Sequence, residues 1–181
     1  PTPIPTVRKV AATQTPFQPA GLTPTADPPY TPVSVTTTAL PCSGRRGSLL
    51  RRQIDTELLP DPLIYQIYLP PCFDSQTDDL PILILLHGVG YTDSQWPDLG
   101  IAGLADDLIA SGETQPFIIL MPREQDTHLR PYGSEFGLAL TQVLLPEIER
   151  RYPVCAQRQC RAIGGISRAG NWAVQLGFTP W

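Results

Sequence analysis

The 181-residue chain has no apolar run that nears the ~18 residues of a membrane-spanning helix; the longest, Ile82 to Leu86, is strand-sized. It has no basic run of the kind that phosphate binding needs, and a net charge of −4 argues against a nucleic-acid partner. Histidine is scarce, with only His87 and His128, and neither stands beside a C-x-x-C pair, so the spacing of a metal site is missing. No metal and no organic cofactor is expected. The chain opens at Pro1 without methionine or signal peptide and stops at Trp181, within or just beyond a helical pattern. Both ends are expected to be cut, with any export signal upstream.

What is present divides in two. Residues 1–41 are dominated by Pro and Thr, with few large apolar side chains and no hydrophobic period. Such a segment cannot bury enough surface to offset its ordering entropy, so a flexible, disordered linker is expected. Linkers of this composition suit the space between an export or anchoring signal and an extracellular domain; the plainer alternative is an extension of no consequence. Residues 42–181 carry the globular pattern.

Within that part, Ser48 to Leu58 alternates weakly, Asp61 and Pro62 mark a turn, and Leu63 to Leu69 reads as a second strand, antiparallel to the first. Leu80 to Leu86 and Pro116 to Met121 are continuous apolar runs, as expected of strands buried on both faces. Between them, Ile101, Leu104, Ala105, Leu108 and Ile109 recur at helical spacing and close at Gly112. After a loop from Pro122 to Gly133, Ser134 and Glu135 open a further helix that Tyr152 and Pro153 end, with Pro146 inside it, which predicts a kink or a helix in two parts. Alternating strands and helices of this kind predict a parallel sheet covered on both sides.

The last strand, Arg161 to Ile166, runs into Gly165-Ile166-Ser167-Arg168-Ala169-Gly170 and then a helix-compatible segment. A serine on a sharp strand-to-helix bend has its hydroxyl lifted clear of the sheet, provided that the residues two before and two after it are small. Gly165 meets the first demand. Ala169 stands where a second glycine is common, and Gly170 follows one place later. The plainer alternative is an ordinary turn with a serine N-cap.

Four cysteines in a chain with a secretory-looking linker favour disulfides over free thiols. Cys155 and Cys160 bracket the loop before the serine strand, so a bridge between them would pin that strand, and Cys42 and Cys72 would then pair by default.

Four ordered segments give the chain its likeness to known proteins: Tyr68-Leu69-Pro70-Pro71; Leu85-Leu86-His87-Gly88; Leu145-Pro146-Glu147-Ile148-Glu149 with Tyr152; and the serine bend from Ala162 to Gly170. From about Gly47 onward the sequence resembles the esterase D and enterochelin-esterase-like branch of the α/β-hydrolases. The resemblance implies a mostly parallel α/β-hydrolase-type sheet with helices on both faces, cut after the nucleophile bend. It implies Ser167 as nucleophile and an oxyanion hole made by the backbone N–H of Arg168 and one from the loop after His87, at Val89 or a neighbour such as Gly88. His87 and Gly90 would shape that loop. A serine hydroxyl needs a base to become nucleophilic, and the oxyanion needs waiting donors, each worth ~3 kcal/mol of barrier.

The family order is nucleophile, acid, histidine, yet no Asp, Glu or His follows Ser167. His87 belongs to the loop, and His128, in the long loop, could face the cleft but is a weak candidate for the base, since geometry comes before candidacy. The chain is therefore expected to be the N-terminal part of a serine carboxylic-ester hydrolase, inactive alone and completed by the C-terminal half of the same domain. That half would supply the strands beyond the serine strand, which is otherwise left as an edge. Candidate substrates by resemblance are short acyl esters, aryl esters of plant polysaccharides, siderophore esters and thioesters. Tyr91 and Trp96 are candidates to line an aromatic-tolerant cleft or to serve as covering core residues. Acyl transfer to a sugar or lipid hydroxyl is a second enzymatic possibility, and a non-catalytic binding or adhesion domain on the same scaffold is a third. An extracellular or cell-surface location is expected.

Overall fold

The computed structural model describes residues 46–73, 79–128, 131 and 134–179. The Pro/Thr-rich segment, its boundary at 41 and Cys42 lie outside the described residues.

Strands β1 (Ser48–Ile54) and β2 (Leu63–Leu69) form the expected antiparallel pair, with Ser48 opposite Leu69 and Ile54 opposite Leu63. The first strand stops at Ile54, short of the expected Leu58. The Leu58 N–H turns back onto Thr56 Oγ1 at 3.1 Å, and such a local side-chain bond competes with the ladder. Strands β3 (Ile82–Leu86), β4 (Ile118–Pro122) and β5 (Arg161–Gly165) run parallel to one another, and β2 joins them antiparallel to β4. The five-stranded sheet has the order β1-β2-β4-β3-β5.

The continuous apolar runs are explained by burial on both faces. Ile82, Ile84, Leu86, Ile118 and Leu120 enter one core, while Ile119 and Met121, with Leu83 and Leu85 packed alongside, enter the other. Two short helices, α1 (Gln95–Asp98) and α2 (Ile101–Ala110), cover the second face through Trp96, Ile101, Ala102 and Ala105. Helix α1 leaves no signal in the sequence, since four residues carry no hydrophobic period.

The first face is covered by a composite helix and by α5 (Arg168–Gly177). The composite begins as α3 (Phe136–Leu138), passes through a π-helical stretch at Ala139–Leu144, and continues as α4 (Leu145–Arg151). Pro146 has no N–H to give to a carbonyl four residues back, and the widened π turn falls just before it, which is the expected two-part helix. Helix α4 ends at Tyr152, extended at φ −125° and ψ 148° as the residue before a proline should be. Trp172 from α5 meets Phe136 edge to face at 5.5 Å between ring centroids. Gly137 makes room for this, since a Cβ there would lie 2.7 Å from Trp172 Cζ3.

Cys155 and Cys160 are joined by a disulfide, as expected, across a 3₁₀ turn at Arg158–Cys160 that leads into β5. Cys72 is disulfide-bonded as well. Among the described residues, no helix is long and apolar enough to cross a membrane.

Candidate active site

Parallel register sets the site. Leu86 lies opposite Gly165 and Ile84 opposite Leu120, so the carboxyl ends of β4, β3 and β5 stand side by side. The loops that leave them, at Arg123, His87 and Ile166, therefore meet at one end of the sheet, where ligands bind in open α/β folds.

Ser167 sits on the bend between β5 and α5 with φ 59° and ψ −119°. A non-glycine residue held there costs of order 1–3 kcal/mol, a strain that persists only where neighbours impose it. The imposing contact is local: a Cβ on Gly165 would come 2.4 Å from Ala169 Cβ and 2.7 Å from Leu86 O. Gly170 is under no such constraint, because its added Cβ would meet nothing nearer than Gly165 O at 3.9 Å. Ser167 is exposed and occupies the N-cap position, but its hydroxyl makes no capping hydrogen bond. The ordinary N-cap alternative thus lacks the bond that defines it. The next two amides are engaged, Ala169 N–H on Ile166 O at 3.1 Å and Gly170 N–H on Ser167 O at 2.9 Å. The Arg168 N–H has no acceptor among the described residues.

The loop after β3 is held from three sides. Tyr91 N–H closes a turn on Gly88 O at 3.2 Å, which Gly90 permits by taking φ 83°. The Gly88 N–H donates to Gln95 Oε1 at 2.8 Å, so Gly88 is not a free oxyanion donor. Trp96, a candidate for the cleft, instead donates from Nε1 to Leu86 O at 3.1 Å and packs into the core. Gly88 lies against the bend, its added Cβ 3.5 Å from Ile166 Cγ2. The Val89 N–H has no acceptor among the described residues.

His87 is buried with both ring nitrogens occupied. The Glu124 N–H donates to Nε2 at 2.9 Å, so Nε2 carries the lone pair, and Nδ1–H must be the donor in its 2.9 Å contact with Gly88 O. This neutral, fully bonded imidazole is not available as a base. His128 is exposed, its backbone N–H bonded to Asp126 Oδ1 at 3.0 Å.

The sequence reading missed Glu124 and Gln95. The Glu124 carboxylate takes Arg168 bidentately, Nε on Oε2 at 2.7 Å and Nη2 on Oε1 at 2.5 Å, with only 5% and 10% of the two side chains exposed. Hydrogen bonding to Glu124 raises the Arg168 guanidinium above its ordinary range. The one signal for this pair in the sequence is an arginine set into an otherwise small and apolar bend. Val89 and Tyr91 in the loop after β3 and Ile166 on the bend are each more than half exposed.

No family model matches the chain. An endo-1,4-beta-xylanase/feruloyl esterase of Xylanibacter ruminicola is 36% identical over 98 residues, which is 50% of this chain and 13% of that protein. Among solved structures, a ferulic acid esterase aligns with TM-score 0.67 and 29% identity over 74% of this chain and 54% of its own. An S-formylglutathione hydrolase of Staphylococcus aureus aligns with TM-score 0.59 and 17% identity over 71% of this chain and 51% of its own. The chain thus spans about half the length of these structures and about an eighth of the curated relative. By fold, the chain is an α/β-hydrolase. Within that superfamily the proteins that it is similar to are esterases, the branch implied by the four sequence segments.

Proposed function

We propose that the chain is the nucleophile-bearing part of a serine carboxylic-ester hydrolase. What chiefly supports this reading is the bend itself, an exposed Ser167 at positive φ followed by Arg168, whose N–H, like that of Val89 in the loop after β3, has no acceptor among the described residues. In this reading a histidine takes the hydroxyl proton, Oγ attacks the ester carbonyl, and the two amides receive the oxyanion. Collapse expels the alcohol and leaves an acyl group on Ser167, which water then removes. The histidine and its acid come from chain beyond these 181 residues in this reading: both ring nitrogens of His87 are already bonded, and no Asp, Glu or His follows Ser167.

The substrate class is an aryl ester of a plant polysaccharide, of the feruloyl type. Two relatives are named for that activity, and the exposed side chains of Ile166, next to Ser167 in the chain, and of Val89 and Tyr91 in the loop after β3 offer apolar surface for a planar acyl group. Two observations favour an extracellular or cell-surface setting, the Cys155–Cys160 bridge and the bonded state of Cys72. Residues 1–41 would then be the spacer ahead of the domain.

The test is to express the gene with its downstream region and treat the protein with a fluorophosphonate probe. Labelling at Ser167 that disappears in Ser167→Ala, together with release of ferulate from methyl ferulate, is the expected result. Equal labelling of Ser167→Ala would sink the assignment, and no labelling at all would favour a non-catalytic binding role.

A further inference from the structure

We propose that Glu124 is a positioning residue that sets the separation of the two oxyanion amides, reaching one through Arg168 and the other through His87. The inference rests on the hydrolase reading and concerns a residue outside the nucleophile, the base and the hole itself. Glu124 follows β4, the middle of the three strands by chain order, yet it bonds to the loops that leave the other two. Its carboxylate grips the Arg168 guanidinium with two hydrogen bonds, and its backbone N–H holds His87 Nε2.

Each grip ends on a peptide plane that matters. Arg168 supplies the amide next to Ser167, at the first position of α5. Two parallel bonds at the guanidinium tie Arg168, and with it the first turn of α5, to the loop after β4. On the other side, His87 Nδ1–H is fixed on Gly88 O, and the Gly88 carbonyl belongs to the same planar trans peptide as the Val89 N–H. Holding the oxygen on one side aims the hydrogen to the opposite side. The Gly88 oxygen also accepts from Tyr91 N–H, and two donors on one carbonyl polarise that peptide and strengthen its N–H as a donor.

Burial gives the tie its stiffness. Glu124 and His87 are 5% and 3% exposed, so water does not compete for the bonds. A carboxylate whose only task was to neutralise Arg168 would not need its own backbone amide on the other loop. One residue bonded to both loops fixes the distance between them, and preorganised donors lower a barrier only if they already stand where charge develops.

The test uses the complete protein and a chromogenic short-chain ester, with Glu124→Gln and, as a second variant that keeps the positive charge, Arg168→Lys. The expected result is a fall in kcat of about ten- to a hundredfold with KM within about twofold, since a small displacement of reacting groups costs on that scale while ground-state binding is little altered. The rate of Ser167 phosphonylation should fall in parallel, and Arg168→Lys, which retains one contact, should lose less than Arg168→Met. If Glu124→Gln does not fold, the two arginine variants carry the same readouts. Wild-type protein that labels at Ser167 while the variants keep kcat within about twofold would overturn this proposal alone. Wild-type protein that does not label at Ser167 would overturn the hydrolase reading and this proposal with it.

Discussion

Gly165 and Ala169 face each other across the serine bend so closely that a Cβ on Gly165 would stand 2.4 Å from the Ala169 methyl carbon. Leu86 O closes the other side at 2.7 Å, and neither neighbour is the far end of a flexible side chain. Gly165→Ala should therefore destabilise the fold by about 1–3 kcal/mol or more, the range for overpacked interiors. Gly170→Ala is the control: it has room, and in a helix alanine is better than glycine by up to about 1 kcal/mol. Thermal melts should move in opposite directions, and equal shifts would contradict the packing described.

Trp172 is buried against Phe136, and its indole Nε1 has no hydrogen-bond partner among the described residues. The ring thus contributes through area and edge-to-face contact rather than through its polar atom. Trp172→Ala should cost about 3–5 kcal/mol, as for other large aromatic truncations. Trp172→Phe, which keeps a ring and abolishes the orphan donor, should retain most of that stability in urea unfolding. A Phe variant as unstable as the Ala variant would mean that Nε1 has a partner after all.

The residues that make these contacts differ in how visible they are in sequence. Ile82–Leu86 and Ile118–Pro122 are legible because a strand covered by helices on both sides needs apolar residues at every position, which leaves an unbroken run. The serine bend is legible because its close approaches demand small residues at fixed offsets, and Pro146 announces its own break in the helix. The pairing of β2 with β4, out of chain order, is not legible, since neighbours in a sheet are chosen by packing of whole faces. Glu124 is hidden for another reason. A single acid in a polar loop looks like any solvated charge, and nothing local tells which of 17 Asp and Glu residues answers Arg168, 44 positions away. Gln95 and the short helix that holds it are similarly silent, because one side-chain amide on one backbone N–H leaves no period.

Two buried polar contacts predict how stability varies with pH. Burial by itself pushes the Asp93 carboxyl up, but hydrogen bonds from Arg51 and Gln66 outweigh it and hold the carboxyl below its ordinary range. A carboxyl depressed in the folded state stabilises the protein above its unfolded pKa of about 3.9, and that contribution is lost as pH falls through the lower folded value. Asp93→Asn should thus flatten the acid side of the stability profile below about pH 4. Tyr68 has the opposite sign. Burial and its 2.7 Å bond to Asp106 push the phenol far above its ordinary range. Its contribution is complete below about pH 10 and declines above it, because the unfolded chain ionises first. Tyr68→Phe should show a shallower alkaline decline than wild type in urea titrations between neutral pH and about pH 11. An unchanged slope would remove the assignment.

The Cys155–Cys160 bridge also acts at a distance from its own loop. It encloses the 3₁₀ turn that carries Arg158, and Arg158 donates to the carbonyls of Gly177 and Thr179, at 2.7 Å for the latter, where α5 ends. Those carbonyls have no partners within the helix, and a cation at this end also favours the helix dipole, together worth about 0.3–1 kcal/mol at an exposed site. The bridge closes only a short loop, so removing it in a Cys155→Ser/Cys160→Ser variant should cost roughly 2 kcal/mol by chain entropy. The two effects should not add. Without the bridge the turn is no longer held where Arg158 can reach the helix end, so Arg158→Ala should cost almost nothing in the bridgeless background. A double-mutant cycle in urea measures this directly, and coupling below about 0.3 kcal/mol would mean that the bridge and the cap act independently. Because α5 begins at the residue after Ser167, a coupled result would make this small covalent loop part of what anchors the far end of the helix that carries the bend.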